Sequence, residues 1–455
     1  TLAAPTLSKY LFDIVDPSHS DPHDVSSGSH YNGAVVVDDL IVFVPHLRPR
    51  VMMIDTSSDV VSSVDITDLV SDKVGGLRYC AGVLGNNGVV YFIPENSNDI
   101  GRFAPSAQSF SEIDISDKID IADKFSGGVL ANDGHIYLIP RKADGIGILD
   151  PATDSFSLFD IYSYGLQGNK FAGGVLAPNG HIIMVPRREV RIGDFDPTTQ
   201  SFSLISMPSP LNDPAFDWKF SGGVLAPNSG LIYFVPFNSD QIGEFDPESG
   251  AFQTIDISAT IDSGRKYNGG VLAANGHIIM MPSNADNIGD FDPQTGTLST
   301  IEFCRETDSS GVCYAFPSGV ETSAGIGALF ERCHGGVRGP DGDIYMVPHS
   351  IDWIPKLSLS LCTTCEAGRY KAESGNGACV DCPLESDANA GSTACECGTG
   401  RVWSSGACGC DLGYSLVADV CTMCEAGKYK AVSGNGECSD CPAGSHAPAG
   451  SDACV

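Results

Sequence analysis

The sequence is poor in positive charge, in long apolar runs and, over most of its length, in cysteine. Only 26 Lys and Arg stand against 57 Asp and Glu in 455 residues, a formal net charge of −31. This surplus of negative charge argues against nucleic acid or an anionic membrane surface as the partner. No run approaches the ~18 apolar residues of a membrane-spanning helix, so we expect no span in this segment.

Motifs that are typical of catalysis are also missing. The chain has no Gly-rich phosphate loop, no Ser nucleophile elbow and no HExxH helix. We therefore expect no enzyme activity and no cofactor. There is no Asn-x-Ser/Thr sequon either, so O-linked glycans are the open possibility. A chain that starts at Thr1 without an apolar signal core is typical of a processed, secreted polypeptide.

Cysteine is distributed very unevenly along the chain. Thirteen of the 17 cysteines lie between Cys362 and Cys454, while the first 361 residues contain only Cys80, Cys304, Cys313 and Cys333. This contrast predicts a first domain that folds by burial, over 1–360, and a second region held by disulfides. It also predicts an oxidising compartment.

A repeated sentence fills the first domain. KFSGGVLANDGHIYLIP at 124–140 returns as KFAGGVLAPNGHIIMVP at 170–186 and as KYNGGVLAANGHIIMMP at 266–282. The residue that precedes the small pair recurs with spacings of 48, 46, 46, 49, 47 and 66, which gives seven repeats with an insertion at 304–331 before the last. These anchors are Tyr31, Tyr79, Phe125, Phe171, Phe220, Tyr267 and Cys333.

Each repeat contains four short β-type runs. Asn-Gly or Asp-Gly pairs such as Asn179-Gly180 separate the first two runs, and Asp-Pro pairs such as Asp150-Pro151 separate the third from the fourth. Four strands every ~46 residues is the period of a β-propeller blade. We therefore predict an all-β chain with a seven-bladed β-propeller.

The seventh repeat breaks off before its fourth strand. LSKYLFDI at 7–14 is similar to SFSLFDI at 155–161, which is the fourth run of the third repeat. An N-terminal strand at 7–14 would therefore complete the last blade and close the ring without an open edge.

A basic residue comes before nearly every anchor, and we call this set the basic ring: His30, Arg78, Lys124, Lys170, Lys219, Lys266 and Arg332. One interpretation is an anion site around one mouth of the central channel. The other is that each side chain pairs with an aspartate of a neighbouring blade, such as Asp114, Asp160 or Asp256.

Histidines and aspartate doublets were weighed as metal ligands. His135, His181 and His277 occupy one repeat position, so repetition explains them better than chemistry does. His46 and His349 both follow Val-Pro in repeats that closure makes neighbours, which leaves open a metal site with His19, His23 or His334, although no known zinc spacing supports it. Doublets such as Asp194/Asp196 and Asp290/Asp292 suggest calcium or, since the second aspartate begins an Asp-Pro turn, turn capping. We predict no metal.

The cysteine-rich region repeats as well. CTTCEAGRYKAESGNGACVDCP at 362–383 returns as CTMCEAGKYKAVSGNGECSDCP at 421–442, a shift of 59 residues. This predicts one module at 361–420 and an incomplete second one at 421–455, in a chain that continues further. Zinc is the alternative for the CxxC pairs, but disulfides are favoured outside the cell. Cys304 and Cys313 flank a short polar loop and could bridge locally.

The spacing of this region resembles that of ephrin-receptor-like and tumour-necrosis-factor-receptor-like modules. The resemblance implies bridges between successive cysteines: Cys365–Cys379, Cys382–Cys395, Cys397–Cys408, Cys410–Cys421, Cys424–Cys438 and Cys441–Cys454. The partners of Cys80, Cys333 and Cys362 stay open, with Cys362 expected to pair upstream. Such modules form rods, since each contacts mainly its neighbours.

A globular head followed by a disulfide-stapled rod resembles the shaft proteins of flagellar hairs, or mastigonemes. That resemblance implies a secreted structural glycoprotein that self-associates, alone or with other extracellular matrix or appendage proteins, into a filament. The alternative is an adhesion or receptor ectodomain that binds carbohydrate or protein through a propeller face. A secreted hydrolase or lyase is a third hypothesis, for which no cluster of catalytic side chains is evident.

Overall fold

The structure is a computed structural model. It describes residues 6–10, 30–71, 76–261, 263–285, 287–302, 306–307, 313–314, 333–349, 354–358, 369–370, 380–382, 386–387, 396–397, 401–404, 407–417 and 420–455. The chain divides into two compact units, 5–359 and 360–455. In the described part of the chain, helical structure is limited to the 3₁₀ turns Pro105–Ala107 and Tyr162–Tyr164, and no helix is long and apolar enough to span a membrane.

The first unit is the predicted seven-bladed propeller, and its described strands form seven four-stranded antiparallel sheets. Blades 1 and 2 comprise Tyr31–Val37, Leu40–Pro45, Arg50–Asp55, Val60–Asp65, and Tyr79–Leu84, Val90–Pro94, Asp99–Ala104, Ser109–Asp114. Blades 3 and 4 comprise Phe125–Leu130, Ile136–Pro140, Gly145–Asp150, Ser155–Asp160, and Phe171–Leu176, Ile182–Pro186, Arg191–Asp196, Ser201–Ser206. Blades 5 and 6 comprise Phe220–Ala226, Leu231–Pro236, Gln241–Phe245, Phe252–Asp256, and Tyr267–Leu272, Ile278–Pro282, Asn287–Asp292, Thr297–Glu302.

Blade 7 contains strands from both ends of the propeller. Its first three strands are Cys333–Arg338, Ile344–Pro348 and Ile354–Ser358, and its outer strand is the N-terminal Thr6–Tyr10. The register pairs Thr6 with Ser358 and Tyr10 with Ile354. The predicted closure by an N-terminal strand is therefore confirmed over Thr6–Tyr10, while residues 11–14 lie outside the described part of the chain. The inner strands of blades 7 and 1 contact each other, which completes the ring.

The repeated glycine pair explains why all blades share one inner strand. The first glycine lies where neighbouring inner strands approach, because a Cβ atom at Gly33 would come within 3.2 Å of the Cα of Ala81. The second lies against the preceding blade, because a Cβ atom at Gly174 would come within 2.7 Å of the Ile139 side chain. Each blade therefore buries the same face against its neighbour, where a larger residue would overpack the interface.

The second unit consists of short two-stranded hairpins. They pair Arg369–Tyr370 with Val380–Asp381, Ser386–Asp387 with Glu396–Cys397, Arg401–Ser404 with Ala407–Cys410, Tyr414–Val417 with Val420–Met423, and Lys428–Tyr429 with Ser439–Asp440. The first and last hairpins have the same register, Arg369 opposite Asp381 and Lys428 opposite Asp440. The sequence repeat is therefore also a structural repeat.

Disulfides link these hairpins. The structure contains Cys397–Cys408, Cys410–Cys421, Cys424–Cys438 and Cys441–Cys454, which are pairs implied by the resemblance. Cys382 is also disulfide-bonded. The other expected bridges stay predictions, because the following cysteines lie outside the residues whose side chains are described: Cys304, Cys313, Cys333, Cys362, Cys365, Cys379 and Cys395.

Candidate functional site: the axial pocket

The basic ring is buried between blades rather than exposed at a channel mouth. Lys124 and Lys219 have 0 % of their surface exposed, Lys170 has 2 % and Lys266 has 1 %. His30 and Arg78 are buried too, and Arg332 lies outside the described residues. The interpretation of this ring as an open anion site is therefore wrong for the six described members.

The backbone of the basic ring ties each blade to the one before it. The N–H of Lys124 donates to the carbonyl of Glu95 in blade 2 at 2.8 Å, and the carbonyl of Lys124 accepts from the N–H of Arg141 at 2.9 Å. Equivalent pairs of bonds occur at the other described members: His30, Arg78, Lys170, Lys219 and Lys266. A residue just before the inner strand thus has a role in joining blades at every repeat.

The lysine ammonium groups satisfy oxygens of the preceding blade. The Nζ of Lys124 donates to the carbonyl of Asn96 at 3.2 Å, and the Nζ of Lys170 donates to the carbonyl of Lys142 and to Asp144. Lys266 donates to Asp240 at 2.6 Å. Pairing with a neighbouring blade was the structural alternative, and it describes these contacts, although the partners are different oxygens.

The expected aspartate partners cap turns instead. Asp114, Asp160 and Asp256 each accept the N–H two residues further along, at 2.8 to 2.9 Å. The second aspartate of the doublets does the same, since Asp196 accepts from the N–H of Thr198 and Asp292 from that of Gln294.

A second set of positions lies next to the basic ring, one after the proline that ends each second strand. We call it the axial ring: His46, Glu95, Arg141, Arg187, Phe237, Ser283 and His349. The basic ring repeats one chemical type, whereas the axial ring contains acids, bases, an aromatic and a hydroxyl. Because the fold requires the same backbone in every blade, this diversity is not imposed by the repeat.

The axial ring surrounds a pocket at one end of the central channel. The cavity has a volume of about 570 Å³ and is lined by all seven axial-ring side chains. The start of the inner strands forms the rest of its wall, through residues such as Ala172 and Ser221. A concave site of this size, with apolar walls and a few converging polar groups, is typical of small-molecule binding.

Glu95 is the acidic residue of this lining, and it is buried in a polar network. Its carboxylate accepts a hydrogen bond from the Nε2 of His46 at 3.0 Å and a very short one from the Nη1 of Arg141. Burial alone would raise the pKa of Glu95, but the hydrogen bond to His46 and the charge of Arg141 outweigh it and hold that pKa below its ordinary value. Glu95 is therefore an ionised anchor for two neighbouring blades.

Arg141 is held by three partners. Besides Glu95, its guanidinium lies 3.2 Å from Asp123 and donates from Nε to the side chain of Asn169 at 3.3 Å. This arginine is therefore fixed and largely neutralised by its own network.

Arg187 lies differently in the same pocket. Its guanidinium carbon sits 3.9 Å from the centroid of the Trp218 ring, a cation–π contact. Trp218 in turn packs against Phe237, with ring centroids 5.4 Å apart. One wall of the pocket thus combines a positive charge with two aromatic rings.

The backbone of Trp218 is strained. Its φ of 52° lies in the left-handed region, where a side chain with a Cβ atom is disfavoured. Such a conformation costs about 1–3 kcal/mol and tends to occur at functional sites. Here the unusual backbone places the indole over Arg187.

The histidines of the axial ring are neighbours, as closure predicts. The rings of His46 and His349 have centroids 5.9 Å apart. Among the described residues, no group of three or more His, Cys, Asp or Glu side chains could hold a metal ion. His19 and His23 lie outside the described residues, and the side chain of His334 is not among those described.

The repeated histidines have structural partners. His181 and His277 contact Asp194 and Asp290 through Nδ1, at 2.8 and 2.7 Å, and His135 lies 3.3 Å from Asp133. These pairs recur from blade to blade, in agreement with the interpretation from repetition.

Cys80 is a free thiol in the pocket wall. Its Sγ donates to the carbonyl of Phe125 at 3.3 Å, and burial raises its pKa well above the ordinary value. Cys80 is therefore an unreactive thiol, and it is excluded as the upstream partner of Cys362.

Sequence reasoning identified two members of the axial ring, His46 and His349, and missed the pocket. A signal was available, because the residue after Val-Pro, Ile-Pro or Met-Pro is the place where the repeats disagree. The contact between Arg187 and Trp218 had no sequence signal, since these residues belong to different repeats.

A family model supports the cysteine-rich assignment. Residues 414–451 match the model described as tyrosine-protein kinase ephrin type A/B receptor-like. The match covers part of the second unit, and it agrees with the hairpins and bridges found there. No curated protein matches the chain significantly in sequence.

Solved structures share the propeller fold. A streptogramin B lyase is 17 % identical with a TM-score of 0.57, covering 78 % of this chain and 98 % of that one. Virginiamycin B lyase from Staphylococcus aureus is 16 % identical with a TM-score of 0.55, covering 74 % and 97 %. The extracellular domain of a two-component system from B. thetaiotaomicron is 12 % identical with a TM-score of 0.54, covering 81 % and 41 %.

At these identities the likeness concerns the fold alone. The lyase activity of two of these neighbours is therefore not carried over to this chain, and the expectation of no enzyme activity stays a prediction. The disulfides, the ephrin-receptor-like match and the extracellular neighbour together indicate an extracellular protein.

Proposed function

We propose that this chain is an extracellular binding protein whose propeller holds a ligand in the axial pocket. The cysteine-rich unit then serves as a spacer. The observation that carries the proposal is the axial ring itself. At the one position where the seven blades disagree in chemistry, their side chains converge on a single cavity of about 570 Å³.

Structural demands do not account for this cavity. The blades are already joined by the backbone bonds and the buried side chains of the basic ring. Close packing leaves few internal voids larger than a water molecule. A cavity of this size, lined by charged groups and by a strained tryptophan, is supported better by ligand binding than by folding.

The test is to fill the pocket and measure binding. Ala172 lines the cavity from the inner strand of blade 4, so Ala172→Trp would occupy it. The full chain and this variant are applied to arrays of glycans, peptides and small molecules. Ala152→Trp is the matched control, because Ala152 is exposed in a turn.

We expect Ala172→Trp to lose binding that the wild type and Ala152→Trp retain, with all three folded by circular dichroism. Ligands that bind the filled variant as well as the wild type would contradict the axial site and favour an outer face of the propeller.

A second candidate is the predicted assembly into an extracellular filament or appendage. Its support is an unusual density of exposed apolar side chains in the second unit. Val417, Val420, Met423 and Val432 are 56 %, 63 %, 54 % and 72 % exposed. Exposed apolar side chains in such a concentration are typical of contact surfaces between proteins.

Electron microscopy of native material with and without reductant tests assembly. Regular fibres that reduction disorders would support the filament, and monodisperse particles would contradict it. Val420→Ser with Val432→Ser should reduce assembly, whereas Val60→Ser, at an equally exposed valine of the propeller, should not. Self-association, glycans and appendage location stay predictions until then.

A further inference from the structure

Arg187 differs from the neighbouring arginines in its lack of an anionic partner. Among the described residues, no acceptor forms a hydrogen bond or ion pair with its guanidinium, whose recorded contact is the face of Trp218. Arg141 has Glu95 and Asp123, and the next residue, Arg188, pairs with Asp217 at 2.7 Å. Arg187 therefore presents unused donors in a pocket where other charges are paired.

Leaving this guanidinium unpaired is costly. A partly buried charge without a partner loses hydration that nothing replaces. Burial, followed by the positive charge of Arg141, lowers the pKa of Arg187 to about 10. An anion that sits against Arg187 would remove this cost and also face the second arginine.

The shape of the donor favours a carboxylate. A guanidinium is a planar fork whose parallel N–H groups match the two oxygens of a carboxylate. The indole under Arg187 fixes the plane of that fork. Beside it, Trp218 and the buried Phe237 give an apolar wall, against which a ring can pack.

We propose that the axial pocket binds a small organic carboxylate, with the carboxylate on Arg187 and a ring of the ligand against Trp218 and Phe237. This inference rests on the proposed function and narrows it to a ligand class. A ring of this kind can be aromatic or that of an acidic sugar, and both fit a cavity of about 570 Å³.

The test is calorimetric titration of the full chain with two matched pairs of probes. Benzoate is compared with benzyl alcohol, and glucuronate with glucose, so each pair differs in the carboxylate. We expect at least one acid to bind at least about tenfold more tightly than its neutral partner, because hydrogen bonds to charged groups contribute about 1.5–3 kcal/mol. The preferred acid identifies the ring as aromatic or saccharide.

Variants then assign the effect to Arg187. Arg187→Gln should weaken binding of the acid at least about tenfold and leave the neutral probe unchanged. Arg187→Lys keeps the charge without the fork, so it should recover only part of the affinity. Arg188→Gln is the matched control, because Arg188 is exposed and does not line the pocket, and it should bind as the wild type does.

Two results would overturn the inference. One is equal affinity for acids and neutral probes, or no heat with either acid. The other is an Arg187→Gln variant that binds the acid as the wild type does. In both cases, array ligands that bind the wild type and are lost in Ala172→Trp would still uphold the axial pocket as a binding site, so the two proposals fail separately.

Discussion

The basic ring and the axial ring lie side by side at one end of the propeller, yet their side chains differ in every respect that matters for function. The basic ring keeps one chemical type, is buried, and has its donors satisfied by oxygens of the preceding blade. The axial ring changes type from blade to blade and faces a cavity. In a repeat protein, constancy thus marks what the fold requires, and variation at a converging position marks what it leaves free for binding.

Both rings depend on closure, so opening the propeller should have the largest effect. Deleting residues 1–10 removes the outer strand of blade 7, in which five residue pairs join Thr6–Tyr10 to Ile354–Ser358. At about 1 kcal/mol for each net hydrogen bond, we expect a loss of roughly 5 kcal/mol in the free energy of unfolding. Urea denaturation followed by tryptophan fluorescence measures it. A truncated chain that unfolds at the same urea concentration as the full chain would refute the role of closure.

Glu95 is a place where the comparison becomes less sharp, because this axial-ring residue also joins blades. Glu95→Gln breaks a buried charged network with His46 and Arg141, so we expect a loss of about 3 kcal/mol at pH 7. Glu248→Gln, at an exposed turn, is the control and should stay within about 0.5 kcal/mol of the wild type.

The pH dependence of that loss follows from the lowered pKa of Glu95. A carboxyl whose folded pKa lies below its unfolded value contributes stability above the unfolded value, here about 4.5, and loses it as the pH falls through the folded value. The stability difference between wild type and Glu95→Gln should therefore be constant from pH 7 to about 5 and shrink below 4.5. A difference that grows on acidification would show that Glu95 is protonated in the folded protein.

The lysines of the basic ring should have a smaller but clear effect. Lys219→Met keeps the apolar stem and leaves the carbonyls of Arg188 and Phe216 without their donor. We expect a loss of about 2 kcal/mol in the free energy of unfolding. Lys118→Met, at a half-exposed lysine in a turn, should change it by less than about 0.5 kcal/mol. An equal effect of the two substitutions would mean that burial of Lys219 has no structural consequence.

Much of the fold could be predicted because its determinants are local and repeated. The anchors that start the inner strands, the glycine pairs and the Asp-Pro turns recur in nearly every blade. The similarity of LSKYLFDI to the outer strand of blade 3 was enough to predict closure. The direction of the basic side chains was not predictable in the same way, because these residues precede the strand and strand alternation does not apply to them.

The pocket could be predicted only in part, for physical reasons. Which side chains converge depends on the ring geometry, which brings His46 and His349 together from opposite ends of the propeller. The left-handed backbone of Trp218 is contrary to the preference of its side chain. Its cause lies in tertiary packing, and the same packing creates the contact with Arg187.

The most direct test of the contrast between the rings is urea denaturation of Lys219→Met and Arg187→Gln side by side. Both remove a positive charge from the same end of the propeller. We predict that Lys219→Met lowers the free energy of unfolding by about 2 kcal/mol, whereas Arg187→Gln leaves it within about 0.5 kcal/mol of the wild type, because no described residue pairs with its guanidinium. Equal losses, or a larger loss for Arg187→Gln, would place the axial ring among the structural contacts and contradict its role in binding.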